Sequence, residues 1–435
     1  DYKLTFGGME LNACYPRPGG GTCTIGAATS IFAWRPDGRV VKYVKAADGV
    51  FYENKADPVA RIVKETDGSF TLHADDDSTE TYTASGYIST ISNAQKIRWT
   101  FTYTGTTYPY RVTHTSGRYI QFTWSGTQLT QVQDPAGNLY SYSYSANQFG
   151  TGLHRLAATT WPGTPNTIIT YHYELSNDAS ALTGKSLGGL RYSTFTYDST
   201  GRATSTQHNG FNKFTFAYST GAGGTANTTV TNPLGKQTTF VHEGGKLKAV
   251  SGSPSAYCPL TTHVLTEYDA NGYPALAQDA NGNFTAYSYN AKGQLLSLTE
   301  AYGTPLARQA TYVWDTGFNR VKEVANTDRK LVYTYTADDR VASISEINLG
   351  APSPATNLNE VRTTTFTYTK HANGMLATMT INMPSAGGST TNTYDALGNT
   401  VSISNNLNHT TSYASHSGNG LPGSVTGPNG DAQDR

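Results

Sequence analysis

The sequence has little charge and no excess of either sign. Its 31 Lys and Arg balance 31 Asp and Glu, and charged residues make up 14% of 435. That excludes the basic field a nucleic-acid binder needs, and it excludes an acidic tail. No apolar run approaches the ~18 residues of a membrane span. The chain opens at Asp1 without a basic and apolar leader, so a signal peptide is expected to be absent or already removed. Cysteine is scarce, at three. Cys14 and Cys23 flank the loop "CYPRPGGGTC" and either bridge it in an oxidising compartment or stand as free thiols. Cys258 is alone, and three cysteines without nearby His pairs make no zinc site. Helix signals are missing too: no stretch combines 3.6-residue apolar spacing with caps.

Tyrosine and glycine are abundant, at 30 and 44. Tyr suits a half-buried pleated surface, and Gly serves turns. Both recur in phrases such as "YDANGYPALAQDANGNFTAYSYNAKG", residues 268–293. An aromatic anchor closes each strand just before a turn. The anchors are Tyr82, Tyr103, Trp124, Tyr144, Tyr173, Tyr197, Tyr218, His242, Tyr268, Tyr289, Trp314, Tyr335, Tyr368, Tyr394 and Tyr413. Tyr82 to Tyr103, Tyr103 to Trp124, Tyr197 to Tyr218, Tyr268 to Tyr289 and Trp314 to Tyr335 are each 21 residues apart, and longer intervals carry insertions. The clearest copies follow the anchor with Asp and then Gly: Asp198 and Gly201, Asp269 and Gly272, Asp395 and Gly398. A second turn phrase lies half a repeat away, as in "QDPAGN", "NPLGK" and "QDANGN". Gly282 and Gly293 occupy turn positions where φ is expected to be positive. Between turns the sequence alternates with period two, as in "TTTFTYT".

One period is therefore turn, strand, turn, strand. The expected fold is all-β: an array of antiparallel β-hairpins with a period of about 21 that curls into a spiral or shell. Fifteen two-strand units at ~4.8 Å per strand give a ribbon on the order of 140 Å long. That is one turn of a shell ~50 Å wide, or more turns of a narrower one. Open sheets much beyond ~10 strands curl, split or flatten. Propeller blades need longer repeats, and parallel β-helix coils lack hairpin turns. Residues 1–80 are off period and read as a strand-rich lead-in that caps one end. Residues 81–435 read as the array, a fragment of a longer cocoon. The anchors are expected to stack as cross-strand neighbours.

Other strings have simpler readings. "GKSLG", Gly184–Gly188, fits the G-x-S-x-G pattern of a hydrolase elbow, but a strand follows it where the elbow needs a helix. "HADDDSTE", His73–Glu80, lacks the ligand alternation of a calcium loop and reads as a solvated acidic turn. The ten histidines are scattered, without H-x-E or H-x₃-H pairing. Sequons at Asn227, Asn283 and Asn408 matter only in a eukaryotic secretory host.

The pattern "YDANG…DANGNxTxYxY", clearest at Tyr197–Asp198, Tyr268–Asp269 and Tyr394–Asp395, resembles the YD repeat of the Rhs family. That family includes bacterial Rhs polymorphic toxins, shell components of insecticidal toxin complexes, and teneurins. Several copies lack the Asp, as at Tyr103–Thr104, Trp124–Ser125 and Tyr335–Thr336. The resemblance implies a hollow β-spiral that encloses a toxic C-terminal polypeptide, with no catalysis and no cofactor of its own. It implies a secreted or cell-surface bacterial protein. Its partners would be that effector, the rest of the parent shell, and a secretion-system spike or toxin-complex subunit. The teneurin side implies an alternative, an extracellular adhesion or ligand-binding module. Family members cut themselves at an aspartyl site; "DPAGNL" at Asp134–Leu139 resembles that motif only superficially and reads as an ordinary half-repeat turn.

Overall fold

In a computed structural model the described residues form one antiparallel sheet of 37 strands, from β1 (Lys3–Gly7) to β37 (Ala432–Asp434). The structure describes residues 3–7, 28–105, 107–145, 154–252, 263–317, 319–350, 357–384, 387–430 and 432–434. Cys14, Cys23 and Cys258 lie outside the described residues. Each strand pairs with the strand before it and the strand after it, so the sheet is a meander without crossovers. Among the described residues there is no α-helix, only a 3-10 turn at Ala222–Gly224.

A dry core exists only near the start. Ile31, Tyr43, Phe51, Ile62, Phe70, Leu72, Tyr82 and Ile88 are buried against one another, with Phe101 packed at the margin. Farther on, the ribbon is a single layer with two different faces. In Val361–Lys370, Phe366 and Tyr368 are half-buried while Thr365, Thr367 and Thr369 are exposed. Period-two alternation explains this, since successive side chains leave a strand on opposite sides. The second face is laced by hydroxyl pairs across strands. Thr81 with Thr90, Ser288 with Ser297, Thr334 with Ser343, and Thr369 with Thr378 are each 2.7 Å apart.

The ribbon bends because of a defect that recurs. A register shift falls at the anchors Tyr82, Trp124, Tyr144, Tyr197, His242, Tyr268, Tyr289, Trp314, Tyr335 and Tyr394, and others fall between Pro109 and Arg111, Lys185 and Ser186, Thr206 and His208, and Thr369 and Lys370. A bulge adds a residue to one strand of a pair and bends that strand. Repeated in most periods at the same place, it bends the ribbon the same way each time. The ribbon then meets itself. The turn after β6 (Phe70–His73) touches the turn after β27 (Arg308–Trp314), and the turn after β8 (Ile88–Ser92) touches the turn after β29 (Arg329–Tyr335). The turn after β10 (Tyr108–His114) touches that after β33 (Ser389–Tyr394), and the turn after β12 (Gln128–Gln133) touches that after β35 (Thr410–Ala414). One winding therefore takes 21 to 23 strands. At ~4.8 Å per strand that is on the order of 100 Å around, the narrower of the two windings expected.

The two rims of the ribbon are distinct. Turns after even-numbered strands form one, called the even rim; turns after odd-numbered strands form the odd rim. Every winding contact above sets the odd rim of the later winding on the even rim of the earlier one.

Candidate functional site: the repeat motif and the winding seam

The anchors lie at the ends of odd-numbered strands, next to the odd rim, except Tyr173, which lies one residue beyond the strand Thr167–His172. In nine of them the polar tip reaches back to the start of the preceding strand. The hydroxyls of Tyr103, Tyr144, Tyr197 and Tyr218 donate to the carbonyls of Ile88, Leu129, Leu182 and Ala203 at 2.6, 2.8, 2.7 and 2.7 Å, each fifteen residues back. Trp124 does the same through Nε1 to Pro109 O at 2.9 Å. Where the interval is longer the bond persists, as in Tyr268 to Leu247 O at 2.6 Å, Trp314 to Leu295 O at 2.8 Å and Tyr368 to Val341 O at 2.8 Å, and it persists where the interval is one residue shorter, Tyr335 to Val321 O at 2.6 Å. Burial pushes the Tyr103 hydroxyl up to about 12, so it stays a donor.

The expected stacking of anchor on anchor is not what the rings do. Tyr103, Trp124 and Tyr289 each face a ring sixteen residues earlier, Tyr87, Tyr108 and Tyr273, with centroids 6.3, 4.7 and 5.1 Å apart. In other repeats that position is a cation: Arg202 lies 4.5 Å from the Tyr218 ring, and Arg340 lies 5.5 Å from the Tyr368 ring. The physical reason is spacing: successive anchors stand two strands apart, ~9.6 Å, and the nearest side chain is the one at the start of the even-numbered strand between them.

The turns are alike on both rims. In the copy at Asp198, Gly201 N donates to Asp198 O at 3.0 Å, and Asp198 Oδ1 accepts from Thr200 N and Arg202 N at 2.9 and 3.0 Å. Asp269, Asp279 and Asp395 repeat the arrangement. These donors hold the Asp198 carboxyl well below its usual range, the Thr200 hydroxyl foremost. Gly201, Gly272, Gly282, Gly293 and Gly398 have φ between 82° and 88°. Degenerate copies put Asp77, Lys96, Asp339 or Asn408 in the same left-handed position, at 63°, 65°, 57° and 61°.

Tyr82 differs from the other anchors. It is fully buried, and its hydroxyl donates to Glu80 Oε2. Arg35 grips the same carboxylate with both nitrogens at 2.6 and 2.7 Å. The hydrogen bond to Glu80 pushes the Arg35 guanidinium above its ordinary value, and burial pushes Tyr82 up as well.

The seam between windings uses residues whose role the sequence did not reveal. Asn319 N donates to Asp77 Oδ2 at 2.8 Å, and its side-chain amide donates to Asp75 O. Arg320 donates to Asp76 O at 3.1 Å and to Asp339 Oδ2 at 2.7 Å. Gln95 donates to Asp339 O at 2.9 Å. Arg118 donates to Leu397 O at 2.9 Å and Asn399 Oδ1 at 2.5 Å. The aspartates of "HADDDSTE" are thus not a solvated turn but the receiving side of the seam, and Asp75 also binds Lys55 at 2.9 Å. The "DPAG" turn keeps the ordinary geometry, with Asn138 N donating to Asp134 Oδ1 at 2.8 Å.

The "GKSLG" string has a structural explanation. His172 Nε2 and Ser186 Oγ share a hydrogen bond of 2.8 Å, and Glu174 Oε1 stands 3.9 Å from His172 Nδ1. Ser186 sits within the strand Gly184–Leu187, 6% exposed, with a strand after it. Glu174 is taken by Arg191, through two bonds of 3.0 Å, and by the Thr183 hydroxyl at 2.9 Å. Gly184 is glycine because the Arg191 guanidinium lies where its Cβ would project. Among the described residues, no group of three or more His, Cys, Asp or Glu could hold a metal ion, and no helix is long and apolar enough to cross a membrane.

A wound ribbon of antiparallel hairpins, with a lacing aromatic and two Asx–Gly turns per repeat, defines an open β-spiral rather than a closed barrel. Residues 267–305 match the model of the RHS repeat. The crystal structure of TcdB2-TccC3 covers 92% of the chain at a TM-score of 0.50 and 14% identity. The Photorhabdus luminescens Tc holotoxin pore with the TccC3-D651A mutation covers 92% at 0.51 and 12%. At such identities the likeness is one of fold. The chain spans only 26% and 23% of those two chains. No curated protein matches it in sequence.

Proposed function

We propose that the chain is part of the non-catalytic shell of a secreted Rhs-type toxin, and that the complete shell encloses a C-terminal effector polypeptide. The observation that carries this reading is the seam. A ribbon that winds and then locks rim to rim makes a continuous wall, which an adhesive module presenting loops does not need. The RHS repeat and the fold shared with the TcdB2-TccC3 structure support it. In this reading the anchors and turn residues are structural, and residues 81–435 are the array. Residues 1–80 form the capping lead-in, and the buried core between Ile31 and Ile88 suits that task. The partners are the rest of the shell, the effector, and a toxin-complex subunit or secretion-system spike.

The test is protease protection in the parent protein from its native producer. An enclosed effector should resist digestion until denaturant opens the shell. Digestion at the same rate with and without the shell would refute the enclosure.

A further inference from the structure

The second face of the ribbon tends to satisfy itself. Its hydroxyls pair across strands at 2.7 Å, as Thr81 does with Thr90 and Thr369 with Thr378. One patch departs from this. Across β11 (Tyr119–Ser125) and β12 (Gln128–Gln133) the same face carries planar amides: Gln121 stands opposite Gln133, and Gln131 stands opposite Thr123. Among the described residues the Gln121 amide meets only Arg111, at 3.4 Å, and the Gln133 amide only Gly137 O, at 3.5 Å. Beside them Tyr119 is 39% exposed, with the Arg111 guanidinium 4.1 Å from its ring centroid. Arg111 Nε is buried and makes no hydrogen bond, so this cation serves to brace the ring.

Tyr119 and Gln133 open onto a cavity of about 370 Å³. Its other walls include Arg118 and Asp134 from the same winding and Leu397 and Gly418 from the next. The turns on both sides of it are already joined, Arg118 to Asn399 and Asn419 to Asp134. The cavity is therefore an opening in the locked wall and not part of a free rim.

We infer that this cavity is a binding site for a neutral sugar ring, built from both windings. The volume lies in the range of small-ligand sites, and the chemistry of the walls selects the class. A sugar ring has an apolar C–H face surrounded by hydroxyls that both donate and accept. The negative face of a tyrosine ring suits the C–H side. A glutamine amide holds donors and an acceptor in one plane, so it can serve two neighbouring hydroxyls at once. Arg118 and Asp134 line the cavity with opposite charges, which favours a ligand without net charge. Both are already held, Arg118 by Leu397 O and Asn399 Oδ1, Asp134 by the amides of Asn138 and Asn419, so neither has to be ordered by the ligand. Because Leu397 and Gly418 belong to the later winding, a bound sugar also ties the two windings together. The inference is independent of what the shell encloses.

Titration of the whole chain, followed by saturation-transfer NMR, tests it. The probes are the methyl glycosides of glucose, galactose, mannose and N-acetylglucosamine, with methyl glucuronoside as the anionic control. At least one neutral glycoside should bind. Its affinity should fall about tenfold in Tyr119→Ala, the scale of one lost ring contact. Gln133→Leu, which keeps the side chain's bulk, should weaken it as well. Tyr192 is 48% exposed and does not line this cavity, so Tyr192→Ala should leave the affinity unchanged. The circular-dichroism spectrum should be the same in each variant. Absence of binding by every neutral glycoside overturns the proposal. So does binding that survives both Tyr119→Ala and Gln133→Leu, or binding of methyl glucuronoside alone, which would make Arg118 an anion site.

Discussion

Asn419 Nδ2 donates to Asp134 Oδ2 at 2.9 Å, across 285 residues of chain. Beside this bond, Gly418 lies so close to Pro135 and Ala136 that a Cβ would meet Pro135 O and the Ala136 backbone at once. Gly418→Val should force the windings apart there. Hydrogen exchange should rise in 115–138 and 395–423 and stay unchanged in 203–250. Uniform exchange across the chain would mean that the seam contributes nothing to holding the windings.

The turn glycines should not be equal. Gly282 and Gly293 both have positive φ, but the Tyr273 ring ends over Gly293, whereas Gly282 meets only the Gln278 amide at 3.7 Å. Gly282→Val should cost more than ~1 kcal/mol through strain alone. Gly293→Val should cost more, because it also evicts Tyr273 from its ring contact with Tyr289. Denaturant melts of the two variants would show the order, and equal midpoints would contradict it. The loss should stay local, since repeat stability is close to a sum over neighbours.

The anchor hydroxyls should matter as donors and not as ring substituents. Tyr197→Phe and Tyr218→Phe keep the ring and lose bonds to Leu182 O and Ala203 O. Each should cost ~0.5–1.5 kcal/mol. No change in either melt would mean that water replaces the hydroxyl without loss.

Glu80→Gln should be the most damaging of these substitutions. It removes the carboxylate that the Arg35 guanidinium, its side chain 20% exposed, grips with two bonds. Breaking a buried pair from one side costs ~3–5 kcal/mol. Thermal melting of the variant, compared with Tyr82→Phe, separates the ion pair from the tyrosine bond.

Acid should weaken the second winding. The Lys370 ammonium, with help from Thr336 and Arg340, holds the Asp338 carboxyl at about 2. A carboxylate depressed in the folded state stabilises fully above its unfolded value of ~4 and loses that contribution as pH falls toward 2. Stability should therefore drop between about pH 4 and 2, and Asp338→Asn should flatten part of that drop. A variant with the wild-type pH profile would contradict the assignment.

The period, the strands and the turns were legible because they are local. Anchor spacing marks each odd strand, and Asp198 with Gly201 states its own turn chemistry. The bulge was not legible, because Thr196 and Tyr197 look like any strand residues until Tyr197 is paired with Ala203. The ring partners were missed because they stand on the strand between two anchors, at its start, where nothing in the anchor spacing marks them. The seam was hidden by distance: nothing near Asn319 says that its amide will meet Asp77, 242 residues away. The one available signal was uneven, namely a crowded Asp75-Asp76-Asp77 run in an otherwise charge-poor ribbon.

The coil has different fastenings in its two directions. Along the ribbon, each strand is stitched to the next by a full ladder of backbone bonds; between windings, among the described residues, side chains and a few turn amides hold. A pull along the spiral axis loads the seam first and peels it one turn pair at a time, like a zip. A pull along the ribbon instead strains many ladder bonds together in shear. Such a body can loosen its pitch while every hairpin stays folded, so its compliance lies in four small contacts and its toughness in the rest.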